Sequence, residues 1–129
     1  MRLSAILFLL PLVSCVHNYT KQELQGIYIP IGNKNNSDSI QLLNNGTFKR
    51  KIYDKNKKLV LEAEGTWQMN ANKIKFKKFY LNLDQDFAEG NTKLDDGYYD
   101  IETVLETSNN TIQFCVGYYE RENCYLKIK

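Results

Sequence analysis

The sequence predicts an all-β fold: a single antiparallel up-and-down sheet of seven or eight strands, curled into a barrel or flattened into a sandwich. Three observations predict it. From Gly26 onward, short stretches of alternating apolar and charged residues recur. They are separated by brief turns rich in Asn, Asp and Gly. No stretch after residue 14 carries a sustained helical period. Strands that follow one another in order and are apolar on one face bury that face by closing on themselves, and closure also removes the exposed edges.

Each element follows from local chemistry. Gly26 to Pro30 is short and apolar, and Pro30 with Gly32, Asn33, Asn35 and Asn36 ends it in a loop. Ile40 to Leu43 is the next strand. Asn44, Asn45 and Gly46 make a turn that needs positive φ, and Thr47 to Tyr53 returns with Phe48 and Ile52 on one side and Lys49 and Lys51 on the other. After a turn at Asp54 to Lys57, the stretch Lys58 to Met69 sets Leu59, Leu61, Ala63 and Trp67 against Val60, Glu62, Glu64 and Thr66. Asn70 to Asn72 turns into Lys73 to Leu81, where Ile74, Phe76 and Tyr80 oppose Lys73, Lys75 and Lys77. Asp84 to Gly97 is acidic, holds two glycines and reads as the longest loop. Tyr98 to Leu105, Thr111 to Tyr118 and Cys124 to Ile128 complete the sheet, with turns at Ser108 to Asn110 and Tyr119 to Asn123.

The N-terminus reads as an export signal. Arg2 supplies a positive start, Leu3 to Leu12 an apolar run too short to span a bilayer, and Leu12, Val13, Ser14 and Cys15 a small-residue cleavage site. This site resembles the lipobox of bacterial lipoproteins; the competing reading is an ordinary secretory signal cut nearby. The resemblance implies lipidation at Cys15, with a diacylglycerol on the sulfur and an acyl chain on the freed amine, enough for stable anchoring. Removing residues 1–14 from 129 leaves 115, the size of one domain. Residues 15–25 then form a polar lipidated tether and residues 26–129 the β-barrel domain. Val16 rather than aspartate follows Cys15, and no acidic run follows it. Among Gram-negative lipoproteins that pattern implies an outer-membrane anchor facing the periplasm.

With Cys15 assigned to lipid, Cys115 and Cys124 remain. One hairpin brings them within bridging distance, and a disulfide is expected in an exported domain. Closing so short a loop stabilises by roughly 2–3 kcal/mol on the chain-entropy model. A metal pair or a reactive thiol wants histidine or further cysteine nearby, and neither is present.

A second resemblance covers about residues 24 to 80. Leu24, Gly26 and Tyr28, then Ile40 and Leu42, then Asn45, Gly46, Thr47 and Phe48, then Gly65, Thr66 and Trp67, then Ile74 and Phe76, follow an order similar to that of small lipocalin-like bacterial lipoproteins. Tyr28 stands where that group usually has tryptophan. The resemblance implies a lipocalin- or calycin-like barrel, and in some members a bound small apolar ligand.

Charge excludes more than it identifies. The formal net charge is +2, far from the basic balance of a nucleic-acid binder. Its distribution is uneven: Thr47 to Lys78 holds ten positive residues against three negative, and Asp84 to Glu106 eight negative against Lys93. Either the two regions form opposite faces that dock a charged partner, or they cancel as cross-strand pairs; the second reading is the simpler. Asp84, Asp86, Glu89, Asp95 and Asp96 do not follow the spacing of an EF-hand loop, so no metal or cofactor is expected. His17 is the only histidine and lies two residues from Cys15, and no glycine-rich phosphate loop is present. A non-enzymatic role and a monomer are expected. Of the seven tyrosines from Tyr53 onward, the adjacent pairs Tyr98, Tyr99 and Tyr118, Tyr119 each place one ring inside and one outside, which makes Tyr99 or Tyr119 a candidate surface anchor.

Three function classes follow, in falling order: a membrane-anchored module binding a small or peptide ligand, a periplasmic inhibitor or immunity-type lipoprotein that binds a protein, and an envelope assembly accessory. An apolar interior cavity above about 300 Å³ favours the first. A filled interior with a charged or tyrosine-rich surface patch favours the second.

Overall fold

In the computed structural model, which describes residues 17–32, 37–81, 98–118 and 121–129, eight strands close into one antiparallel barrel. They are β1 (Gly26–Pro30), β2 (Ser37–Leu42), β3 (Thr47–Tyr53), β4 (Leu59–Asn70), β5 (Lys73–Tyr80), β6 (Tyr98–Ser108), β7 (Thr111–Tyr118) and β8 (Arg121–Lys127). Each pairs with the next, and β1 closes on β8 through Tyr28↔Lys127, Ile29↔Leu126 and Pro30↔Tyr125. The barrel is realised, not the sandwich. The acidic segment Asp84 to Gly97 lies outside the described residues, as do Cys15 and the signal before it.

Turn chemistry sets the register. Gly46 has φ 82°, and Asn45 Oδ1 accepts from the Thr47 N–H at 3.0 Å and from its hydroxyl at 2.6 Å. Asn109 and Asn110 both have positive φ between the paired residues Ser108 and Thr111, the pattern of a two-residue type I′ hairpin. Asp54 Oδ1 accepts from the N–H groups of Asn56 and Lys58 at 2.8 and 2.9 Å, holding the β3–β4 turn.

Among the described residues, large side chains point into the space that the eight strands enclose and pack against one another there. Trp67, Tyr28, Tyr125, Phe48, Phe76 and Phe114 are fully buried there. Large residues on β3 face small ones on β4: Phe48 pairs with Gly65, and Arg50 with Ala63. A Cβ on Gly65 would lie 2.5 Å from the Phe48 ring, so no side chain fits at that position.

The domain begins earlier than Gly26. Within the segment read as a tether, Thr20 caps a short helix, α1 (Lys21–Leu24), in a reciprocal box with Glu23. The Thr20 N–H donates to Glu23 Oε2 at 2.6 Å, and the Glu23 N–H to Thr20 Oγ1 at 3.2 Å. The bond from the Thr20 N–H, with the Thr20 hydroxyl adding to it, holds the Glu23 carboxyl below its usual range. Leu24 and Tyr19 join the core, and the Tyr28 hydroxyl donates to the Leu24 carbonyl at 2.8 Å. Lys21 Nζ sits 5.8 Å from the centre of the Trp67 ring, and Trp67 Nε1 donates to the Leu43 carbonyl at 3.0 Å. The helix closes the end of the barrel that carries the β2–β3, β4–β5 and β6–β7 turns. Burial of Leu24 in the helix and of Tyr19 just before its cap explains why a polar-looking stretch folds.

Strand β5 departs from strict alternation. Its pairing with β6 shifts between Phe76 and Phe79, and Lys78 takes φ 59° with its N–H donating to Asp100 Oδ1 at 3.2 Å. Such a bulge re-aims the residues after it. Phe79 turns into the core rather than outward, and Tyr80 is buried as well. On the outer face, Lys49–Glu64, Lys51–Glu62 and Lys73–Glu102 lie 3.8, 3.6 and 3.5 Å apart, so basic strands are balanced in part by acidic neighbours.

Candidate functional site

Two polar arrangements stand out, one inside the barrel and one in its wall. Inside, Arg50 alternates with Phe48 and Ile52 on β3 and therefore points inward with them. Asp38 does the same on β2, which begins three residues before the predicted Ile40. Arg50 donates from Nε to Asp38 Oδ1 at 3.0 Å and from Nη2 to Asp38 Oδ2 at 2.7 Å, a bidentate pair. Nη2 also donates to the Tyr125 hydroxyl at 2.7 Å, and Nη1 to the Tyr80 carbonyl. Tyr125 in turn donates to Asp38 Oδ2 at 2.9 Å. The guanidinium stacks 4.6 Å from the centre of the Phe79 ring that the bulge delivers.

Burial opposes the charge on Arg50, but the Tyr125 and Asp38 oxygens outweigh it and hold its pKa above the ordinary value. Burial is also the main reason that Tyr125 resists ionisation, with Asp38 adding to the effect and Arg50 opposing it. Arg50 and Tyr125 are wholly buried and Asp38 is 3% exposed. The network therefore ties β2, β3, β5 and β8 together and presents no free nucleophile or base to a substrate.

The second arrangement lies where β6 and β7 part. Among the described residues their ladder runs only from Leu105↔Phe114 to Ser108↔Thr111. Beyond it, Thr103 Oγ1 donates to the Cys115 carbonyl at 2.6 Å, and a cleft of about 310 Å³ opens. Asp100, Glu102 and Glu122 supply carboxylates to its lining, and Ile101, Val116 and Leu81 supply apolar surface.

Of the predicted site residues, Cys115 lines this cleft, and Cys124 and Tyr99 adjoin lining residues. Cys115 and Cys124 are directly paired across β7 and β8 and form a disulfide, with Cα atoms 3.9 Å apart. Glu122 lies beside the sulfurs, with the three potential ligand atoms within 4.8 Å of one another, but bonded sulfurs have no thiolate to give a metal. Tyr99 is 44% exposed and Tyr98 41%, so neither ring of that pair is inside. Among the described residues β7 pairs with β6 only from Leu105 onward, so this stretch of β6 has no β7 neighbour and the alternation rule fails there. Tyr119 and Cys15 lie outside the described residues.

Sequence reading missed Arg50, Asp38 and Tyr125 as a unit. Arg50 is one of the ten positive charges between Thr47 and Lys78, yet its phase with Phe48 and Ile52 marks it as inward. No protein-family model, curated protein or solved structure matches this chain.

Proposed function

We propose that this chain is a lipid-anchored, non-catalytic recognition module of the bacterial envelope, and that it binds a peptide or protein segment on its outer wall rather than a small ligand inside the barrel. The filled interior carries this reading. Aromatic side chains and a hydrogen-bonded Arg50 occupy the space that an enclosed ligand would need. That favours the protein-directed reading, in which an inhibitor or immunity-type lipoprotein engages its partner through surface contacts.

Lipidation of Cys15 would also orient the barrel. Tyr19, already in the core, follows Cys15 by four residues, a reach of at most about 14 Å. The α1 end would then face the bilayer, at the outer membrane on its periplasmic side, and the β6–β7 cleft would face away from it.

Two measurements test the reading. Replacing Cys15 with Ala should release the mature protein from the membrane fraction; continued sedimentation with membranes would remove the anchor. Trp67 is the only tryptophan and sits inside the barrel, so its emission reports on interior occupancy. Titration with a fluorescent fatty acid should leave that emission unchanged, whereas one-to-one saturable energy transfer from Trp67 would replace wall recognition with interior binding.

A further inference from the structure

Strand β6 has eleven residues and β7 eight, yet four pairs join them among the described residues. Continuing the register would pair Val104 with Cys115 and Thr103 with Val116. Instead, the Thr103 hydroxyl takes the Cys115 carbonyl. From there Tyr98–Glu102 is laddered to β5 and Val116–Tyr118 to β8, which among the described residues leaves two strand edges on either side of the cleft. Natural sheets guard such edges with proline, lysine or short strands. The β6 edge, Tyr98-Tyr99-Asp100-Ile101-Glu102, has no proline and no lysine.

We propose that this cleft is a strand-addition site, which accepts an extended segment of alternating basic and apolar residues from a protein partner, paired along Tyr98–Glu102 of β6. The proposal rests on the wall-recognition reading and gives it a ligand class. Three features of the cleft select that class. Main-chain donors and acceptors on an open edge bind extended backbone, while alternate side chains provide specificity. Asp100 and Glu102 are two residues apart and so share one face of β6, with Ile101 on the other, which matches lysine or arginine at every second position and an apolar residue between. Glu122 adds a third carboxylate, and among the described residues the cleft lining contains no lysine, arginine or histidine. The exposed rings of Tyr98 and Tyr99 lie beside this edge and offer rigid amphipathic contacts.

Charge argues against the two occupants nearest at hand. Segment 82–97 of the same chain carries five acidic residues and one lysine, so it matches the cleft in sign and does not complement it. A second copy would bring an identical acidic edge, and like charges across a ladder destabilise it.

Hydrogen exchange of the full chain in detergent micelles, read by mass spectrometry, tests the proposal with a capped eight-residue peptide alternating lysine and valine. Peptides spanning Tyr98–Glu102 should exchange about tenfold or more slowly when the probe is saturating. The same peptide methylated on alternate backbone nitrogens, or one with glutamate in place of lysine, should give no slowing. The double variant Glu102→Lys, Glu122→Lys should reverse the preference toward the glutamate peptide, and its unchanged exchange in β3 and β4 would show that it folds. Equal slowing by the lysine and glutamate peptides, slowing by the methylated peptide, slowing confined to other strands, binding only after residues 84–96 are replaced by a glycine-serine linker, or edge protection through dimer formation without peptide would each overturn the proposal. So would no slowing at all; if Trp67 is also silent to the fatty acid, that result removes this cleft and leaves wall recognition standing.

Discussion

The two ends of the barrel are closed by different physics. At the α1 end, Leu24, Tyr19 and Trp67 form an apolar plug tied by a few neutral hydrogen bonds. Toward the other end, the inward positions of β2, β3 and β8 are Asp38, Arg50 and Tyr125, a charged network without access to water. The plug should lose stability in proportion to the volume removed. The network should lose stability according to whether a charge is left without its partner. One barrel thus contains a graded end and an all-or-none end.

Breaking the ion pair gives the largest expected effect. Arg50→Met leaves Asp38 buried beside Tyr125 alone and should cost about 3–5 kcal/mol, as should Asp38→Leu, measured by urea unfolding. The combined Arg50→Met, Asp38→Leu variant should recover most of that loss. Simple addition of the two costs would show that the two ends do not differ in kind.

At the plugged end, Leu24→Ala should cost about 2–3 kcal/mol, in the lower part of the usual range because a four-residue helix can settle into the space. A cost above that of the Arg50 variant would reverse the comparison.

A tyrosine at each end gives a pH test. Burial raises the pKa of both Tyr28 and Tyr125, with Tyr19 adding to the shift of Tyr28. Above the ordinary tyrosine range near pH 10, the unfolded chain releases these protons and the folded chain keeps them. Stability is therefore fully present below that range and should fall above it by about 1.4 kcal/mol per pH unit for each tyrosine. Tyr28→Phe should halve this alkaline slope. Tyr125→Phe should halve it too, but should lower stability at neutral pH by more, because Arg50 and Asp38 each lose a hydrogen-bond partner, whereas Tyr28→Phe takes a donor only from the Leu24 carbonyl. Equal neutral-pH costs for the two variants would mean that the hydroxyls play the same role at both ends.

The smallest effect is at the helix cap. Thr20→Ala should cost about 1 kcal/mol. The lowered pKa of Glu23 contributes stability that is present above the usual carboxylate range and lost as pH falls through the depressed folded value. Glu23→Gln should remove that acid dependence, while leaving the alkaline limb intact.

The uneven legibility of these features has a physical basis. The Cys115–Cys124 bridge is visible in the sequence because the two cysteines are only nine residues apart, on consecutive strands that pair antiparallel. The capping pattern Thr20-x-x-Glu23 is equally local and readable, although the polar residues around it suggest a tether. The inward turn of Phe79 is not readable. It depends on a bulge at Lys77 and Lys78, which alternation alone would place on opposite faces. Nor is the exposure of both Tyr98 and Tyr99, which follows from the early end of the β6–β7 ladder.

Taken alone, the order of residues limited the strands to seven or eight and determined turn chemistry, the disulfide and the all-β class, because each depends on residues a few positions apart. Only the closed tertiary structure decided which polar side chains would share the interior and where the wall would open. Arg50 meets Tyr80 and Tyr125 across 30 and 75 residues of chain, and no local period encodes a contact made by the curvature of the whole sheet.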